Sequence, residues 1–165
     1  IAKDYLSNGM ADLAVIATRE ASHTMLEFMP LRDEELMLAL PASHPAVSSF
    51  EKHGVDLSLL RDEPFILNQQ NSYFRSLERE ILSHCSFTPD VLCEIRDLNA
   101  SSNMVANGKG IAFLPRSVYD HAEGCHLFSL PEPMIFHVVI AYSKGIILTG
   151  PIRDLIMLLL KNAPQ

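Results

Sequence analysis

Short apolar segments with the character of buried strands alternate with helical segments along almost the whole sequence. The apolar run at 63–68 (EPFILN), for example, is followed by a segment in which Phe74, Leu77 and Ile81 recur at the spacing of one helix face. This alternation is typical of a parallel or mixed sheet with helices on both faces. The sequence therefore predicts an α/β fold, and it contains no internal repeat and no low-complexity tract.

The segment at 107–115 (NGKGIAFLP) is either a phosphate-binding loop or a corner between a helix and a strand. A phosphate loop has its glycines in front of a helix, with Ser or Thr after the lysine. Here a helix precedes the glycines, with Asn99 as the capping type of residue at its start, and a short apolar run that ends at proline follows. We therefore predict that Gly108 takes the left-handed conformation that ends a helix, and that a strand follows it.

The remaining segments fit the same alternation. Further helices are predicted at 1–8, from 72 onward and after Pro151. The last of these carries one apolar stripe, predicted to be buried, which consists of Ile152, Leu155, Ile156, Leu159 and Leu160. A polar connector is predicted at 42–54, and further strands at 11–17, 26–31, 34–41, 89–96, 126–130 and 135–142.

The composition bounds the class of protein. Of the 165 residues 48% are hydrophobic and 20% charged, which is enough apolar material for the core of one or two small domains. The net charge is −7, and the Lys and Arg residues do not cluster. A surface that reads duplex DNA needs a basic stripe. We therefore expect that this chain alone does not bind duplex DNA specifically.

No metal, cofactor or catalytic arrangement stands out. The three cysteines (Cys85, Cys93 and Cys125) match no zinc spacing, and the seven histidines share no helical metal spacing. Reduced, mostly structural thiols in a cytoplasmic protein are the favoured interpretation, although a Cys–His nucleophile pair that assembles in space stays open. No signal peptide is recognisable, and the longest apolar run, at 155–160, is far too short to span a bilayer. We expect no metal, no cofactor and no membrane partner.

The most informative polar cluster is NQQNSY at 68–73, between an apolar strand and an amphipathic helix. In open α/β sheets, ligands bind beyond the carboxyl ends of strands, near helix N-termini. Uncharged amide and hydroxyl groups suit a small polar or anionic molecule, but a solvated loop with a capping residue (Ser72 or Asn71) is the alternative. Two similar places follow other strands, at 17–23 and 97–101. The candidate binding residues are Thr18, Asn68, Gln69, Asn71, Ser72, Tyr73 and Asn99.

Five segments in this order are similar to the effector-binding domain of LysR-type transcriptional regulators. The last one, MVANGKGIAFLPRSV, resembles the valine-x-x-glycine-x-glycine signature of that family, which continues into an apolar run ending in leucine-proline. The first resembles the family's G-x-x-D motif followed by alternating hydrophobic residues and alanine. The segments are LSNGMADLAVI, PLRDEELMLALPASHP, LSLLRDEPFIL, FTPDVLCEIRD and MVANGKGIAFLPRSV.

The resemblance implies two Rossmann-like α/β subdomains joined by two crossover strands, as in type 2 periplasmic binding proteins. Subdomain I would comprise 1–42 plus 138–165, and subdomain II would comprise 43–137. The effector would lie in the cleft between them. Asn71, Ser72 and Tyr73 match the family's ligand-contacting loop, and Thr18 would face the same cleft.

The resemblance also implies a sensor and not an enzyme. Its partners would be a small-molecule effector (an organic acid or an amino acid), further copies of the chain in a homodimer or tetramer, and promoter DNA, reached only through a separate N-terminal domain in a cytoplasmic protein. The alternative is a solute-binding receptor or an enzyme on the same fold. A receptor should carry an export signal, and an enzyme should place an ionisable pair in the cleft.

The sequence departs from the family at its start. The family's domain begins with a strand, a helix and a second strand before the segment with which this sequence opens, and the ends of those two strands supply ligand contacts. We therefore expect subdomain I to lack neighbours for its strand at 11–17, and an unpaired apolar edge strand invites pairing with another chain.

Overall fold

The computed structural model describes residues 2–121 and 124–163. Its strands are β1 (Ala14–Thr18), β2 (Leu26–Pro41), β3 (Pro64–Asn68), β4 (Asp90–Ile95), β5 (Ile111–Pro115), β6 (Cys125–Phe128) and β7 (Met134–Ser143). Its α-helices are α1 (Ala2–Ser7), α2 (Val47–His53), α3 (Tyr73–Ser83), α4 (Leu98–Ala106) and α5 (Gly150–Lys161), and 3₁₀ helices cover Leu57–Leu60 and Arg116–His121.

The chain divides into two compact units. Unit 1 comprises Ile1–Glu34 with Ile135–Gln165, and unit 2 comprises Glu35–Met134. The boundaries expected from the sequence lie after 42 and after 137. β2 runs through the first dividing point, between Glu34 and Glu35, whereas β7 begins at the second, with Met134. The assignment of functional subdomains stays a prediction.

Unit 1 is built on an antiparallel sheet. The strand order is β1-β7-β2, and β1 pairs with β7 from Ala14 opposite Ala141 to Thr18 opposite His137. Its core contains Leu6 of α1, Leu26 of β2 and Ala141. The Ser143 hydroxyl donates to the carbonyl oxygen of Leu6 at 2.7 Å, which ties the end of β7 to α1. Unit 1 thus buries α1 against its sheet.

Unit 2 contains the parallel strands. The order is β2-β5-β3-β4, in which β3 is parallel to both β5 and β4, whereas β2 is antiparallel to β5 and also pairs with β6. The carboxyl ends of β3, β4 and β5 therefore lie at the same edge of the sheet. The core on one face contains Ile66 of β3, Val105 of α4, Ala112 of β5 and Cys125 of β6. The predicted α/β alternation is confirmed here.

The glycine-flanked segment is a helix-to-strand corner, as predicted. Gly108 has φ of 67°, and its N–H donates to the carbonyl oxygen of Val105 at 2.8 Å, so α4 ends there. The cap at the other end of α4 was assigned wrongly to Asn99. Asp97 is the cap, and its carboxylate accepts from the N–H groups of Asn99 and Ala100.

Two further predictions were wrong in the same part of the chain. The segments at 26–31 and 34–41 form one continuous strand, β2, because Pro30 is exposed and does not interrupt it. The predicted connector at 42–54 contains α2, whose Val47 and Phe50 are buried. Burial of two apolar side chains stabilises this short helix despite its turn-rich sequence.

The apolar stripe predicted on the last helix is not buried as a whole. Of this stripe, Ile156 is buried, whereas Leu155 is 45% and Leu160 38% exposed. Leu158, which lies outside the predicted stripe, is 58% exposed. β1, at the end of the strand order, likewise exposes Val15. Within the described ranges, no helix has the length and apolar character needed to cross a bilayer.

Gly110 gives the first prediction, because β5 approaches β3 closely at this point. A Cβ at Gly110 would lie 2.5 Å from the carbonyl oxygen of Pro64. We expect Gly110→Ala to lower the free energy of unfolding by about 2–3 kcal/mol, since two paired strands would have to move apart. Gly150→Ala is the control, because nothing lies within 4 Å of its added methyl group. Urea unfolding measures both, and equal stabilities would contradict the prediction.

The exposed apolar face of α5 gives the second prediction. We expect this 165-residue chain to self-associate, and Leu158→Lys to shift it toward monomer, because contiguous exposed apolar surface drives association. Leu59→Lys is the matched control, since Leu59 of unit 2 is also 58% exposed. Light scattering over a concentration series measures both. A wild-type chain that stays monomeric throughout would refute this expectation.

Candidate functional site

The candidate site lies at the carboxyl edge of the parallel strands of unit 2. Asn68, the last residue of β3, is in register with Ile95, the last residue of β4. The N–H of Gln69 donates to the carbonyl oxygen of Ile95 at 3.2 Å. The loop that follows β3 therefore runs beside the end of β4, the position at which α/β sheets bind ligands.

The loop between β3 and α3, residues 69–72, is held by local hydrogen bonds. The N–H of Ser72 donates to the carbonyl oxygen of Gln69 at 2.9 Å. The Ser72 hydroxyl then accepts from the N–H of Arg75 at 3.0 Å, which makes Ser72 the N-cap of α3. Of the two predicted caps, Ser72 and Asn71, the structure uses Ser72.

The predicted binding residues of unit 2 differ in exposure. Gln69 and Asn71 are exposed in the loop, and Ser72 and Tyr73 are half-buried where α3 begins. Gln69, Asn71 and Ser72 therefore offer amide and hydroxyl groups at one edge of the sheet, whereas the hydroxyl oxygen of Tyr73 is buried. Asn99 is exposed on the first turn of α4, which follows β4.

Thr18 belongs to unit 1 and is only 2% exposed. Its hydroxyl oxygen accepts from the N–H of Glu20 at 3.1 Å. Its cross-strand neighbour His137 places Nδ1 2.6 Å from a carboxylate oxygen of Asp33. The end of β1 therefore carries a polar cluster with an ionisable pair that the sequence analysis did not identify. That Thr18 shares a site with the residues of unit 2 stays a prediction.

Asn68, which precedes the loop, is hydrogen-bonded to the buried carboxylate of Glu78. The side chain of Glu78, on α3, is 0% exposed. The backbone N–H of Asn68 donates to both carboxylate oxygens, at 3.1 and 3.0 Å, and its side-chain Nδ2 donates to Oε1 at 2.7 Å. Arg75 Nη1 lies 3.5 Å from Oε2. Glu78 thus joins the end of β3 to the first turns of α3.

The same arginine extends the network to the neighbouring strand. Arg75 Nη2 donates to Oε1 of Glu94, on β4, at 3.2 Å. Gln70 Nε2 donates to the same oxygen at 2.6 Å, and Arg79 donates to Oε1 of Gln70. The loop is therefore attached to both β4 and α3. A charged pair at i and i+3, Arg75 and Glu78, beside the apolar face of α3 was the sequence signal for this network.

Burial has the largest effect on the acid–base behaviour of Glu78. Removal from water raises its pKa above the usual range of a glutamate, and the hydrogen bonds from Asn68 and the charge of Arg75 oppose that change. A raised pKa means that the folded chain binds this proton more tightly than the unfolded chain does.

The raised pKa of Glu78 gives the third prediction, which concerns pH. Between the ordinary pKa of glutamate and the raised pKa of Glu78, the folded state binds more protons than the unfolded state. The free energy of unfolding therefore falls as the pH rises through that window, by about 1.4 kcal/mol for each pH unit that the window spans. We expect the difference between wild type and Glu78→Gln to show this fall when urea unfolding is measured at a series of pH values above the ordinary pKa of glutamate. A difference that is flat, or that rises with pH, would contradict the assignment.

The cysteines give little support to nucleophilic chemistry. Burial raises the pKa of the Cys85 and Cys125 thiols, which disfavours the reactive thiolate. His84 and Cys85 line a cavity of about 320 Å³ at the carboxyl end of α3, opposite to the end that holds the loop. Among the residues that the structure describes, no group of three or more His, Cys, Asp or Glu side chains could hold a metal ion.

Comparison with known proteins agrees with this geometry. The model of the LysR substrate binding domain matches residues 2–164. Transcriptional dual regulator GltC of Bacillus subtilis (strain 168) is 26% identical over 125 residues, 76% of this chain and 40% of the relative. HTH-type transcriptional regulator BenM of Acinetobacter baylyi is 32% identical over 102 residues, 61% of this chain and 32% of the relative. The chain thus spans less than half the length of these regulators.

Solved structures of regulatory domains share the fold. The CcmR regulatory domain of Synechocystis PCC6803 in complex with 2-PG has a TM-score of 0.82 at 20% identity, over 99% of this chain and 79% of that one. The effector binding domain of QuiR in complex with shikimate has a TM-score of 0.75 at 21% identity, over 98% and 76%. The predicted α/β fold of LysR effector-binding domains is confirmed by these likenesses. Because its family model covers nearly the whole sequence, this chain belongs to the LysR substrate binding domain family.

Proposed function

We propose that this chain is the ligand-sensing domain of a LysR-type transcriptional regulator. The observation that carries the proposal is the loop of amide and hydroxyl side chains at the carboxyl edge of β3 and β4, in a chain of this family. Ligands of α/β sheets bind at such edges. The ligand is a small polar molecule, an organic acid or an amino acid.

The proposed contacts follow from the local geometry. Gln69 and Asn71 present amide groups, and Ser72 adds a hydroxyl where α3 begins, whereas the Tyr73 hydroxyl oxygen is buried and would contact a ligand only after a side-chain movement. Asn99 adds an amide at the neighbouring helix start. Thr18 is the proposed contact from unit 1, and His137 beside it supplies a titratable group. Neutral groups in these numbers fix orientation and specificity in small-molecule sites.

The proposed mechanism is a shift between conformations. A ligand moves a conformational equilibrium only by the difference in its affinity for the two states. In the whole regulator, that shift would change how two or four copies of this domain present separate DNA-binding domains to a promoter. This domain would act in the cytoplasm, without touching DNA itself.

An enzymatic function on the same fold is disfavoured by the chemistry of the described site. The loop offers neutral amides and hydroxyls, and burial raises the pKa of the Cys85 and Cys125 thiols, which disfavours their thiolate forms. The ionisable pair of Asp33 and His137 is a feature that favours catalysis. Turnover of any ligand that binds would support the enzyme, and unchanged ligand would support the sensor.

Ligand binding gives the fourth prediction. A thermal-shift screen of small organic acids and amino acids, shikimate included, is expected to find a compound that stabilises the protein by mass action. Asn71→Ala is expected to weaken its binding about tenfold, the effect of losing one good hydrogen bond. Asn8→Ala, at an exposed site after α1, is the control. If the whole panel leaves the melting temperature unchanged, the proposed ligand class is wrong.

A further inference from the structure

We infer that the donors at the end of β3 form an anion-binding site that the protein fills with its own carboxylate, Glu78. If the chain senses a ligand as proposed above, this internal anion keeps the acid group of an effector away from Asn68 and Arg75. Glu78 is then a specificity-determining residue of the sensor, although it does not touch the ligand.

The contacts of Glu78 have the character of an anion site. Three donor contacts come from one residue, since the N–H of Asn68 reaches both oxygens and its Nδ2 reaches Oε1. The guanidinium of Arg75 adds a positive charge 3.5 Å away. Every group that contacts the carboxylate is a donor, so the ionised form is the one that these contacts accommodate. Because the side chain of Glu78 is fully buried, solvent water does not reach the donors of Asn68 that bind this carboxylate.

Arg75 has more binding capacity than Glu78 uses. Its side chain is nine-tenths buried, and its Nη1 is held only by the 3.5 Å ion pair with Glu78. Its Nη2 donates to Glu94, and its Nε makes no hydrogen bond to any part of the chain that the structure describes. A buried guanidinium with a nitrogen that lacks a partner attracts negative charge strongly. Removal of Glu78 would therefore leave a cavity lined by positive charge and unpaired donors.

The consequence for ligand choice follows from charge. An anionic group that approached Asn68 would find its two donors engaged, and would meet the carboxylates of Glu78 and Glu94. Like charges at such distances repel. The acid group of an effector must therefore be held by other residues. Unit 2 contributes the neutral side chains of Gln69, Asn71 and Ser72, and Asn68 positions the loop instead of contacting the ligand.

Chemical rescue tests the inference without knowledge of the effector. Glu78→Ala opens the site to a small anion, and the probe is acetate, with chloride at equal ionic strength and neutral acetamide as comparisons. We expect acetate to raise the melting temperature of Glu78→Ala by about 5 °C more than it raises that of wild type. Leu77→Ala is the matched control, because it opens a buried cavity one residue away without exposing donors.

A response of Glu78→Ala to acetate that is no larger than that of Leu77→Ala would overturn the inference. If Glu78→Ala does not fold in chloride, refolding in acetate replaces the melting measurement. Recovery of the native state then supports the anion site, and failure to recover in acetate contradicts it.

A ligand that emerges from the thermal-shift screen adds a second arm. Glu78→Gln keeps the size of the side chain and removes its charge, so it is expected to enlarge the melting-temperature shift caused by an acidic ligand more than the shift caused by the neutral amide of the same ligand. Equal changes for the acid and for its amide would contradict the inference. If no compound binds, the proposed function is contradicted but the inferred anion site is not, because acetate rescue does not depend on an effector.

Discussion

The buried contact between Asn68 and Glu78 is the interaction on which the candidate site depends. It joins the last residue of β3 to α3 through three hydrogen-bond contacts, and Arg75 carries the connection to Glu94 on β4. The loop at 69–72 begins at one of these anchored residues and ends at the cap of α3. Its neutral side chains therefore start from a defined position, which lowers the entropy that binding would cost.

Burial of charge in this place is costly, and the network offsets only part of the cost. Replacement of buried ion pairs by apolar groups is often neutral or stabilising in proteins, whereas removal of one partner is strongly destabilising. The raised pKa of Glu78 reflects the same desolvation. The hydrogen bonds and ion pairs of this network also fix the geometry and the charge at the start of the loop, at the edge where we propose that the ligand binds.

In unit 1, apolar burial is complete for one helix and incomplete for another. The sheet of β1, β7 and β2 buries α1, but the described part of α5 buries Ile156 and exposes Leu155 and Leu158. A hydrophobic stripe at helical spacing predicts that a face should be covered; it does not identify the surface that covers it. Exposed apolar side chains of α5 and a strand at the end of the sheet order, β1, are features that favour association.

The sequence by itself determined the elements whose signals are local. The left-handed Gly108 and the apolar strands β3 and β5 depend on backbone conformation and short-range patterning, and five ordered segments sufficed to indicate the family. The cap of α3 was narrowed to Ser72 or Asn71, and the structure uses Ser72. Only the tertiary structure decided that α2 is a helix, that β2 is continuous, and that Asn68 faces a buried carboxylate ten residues ahead in the chain. Those outcomes depend on burial and on contacts between separate elements. Contacts between separate elements have no fixed spacing in the sequence, and the two buried residues of the seven-residue α2 are too few to show a helical period.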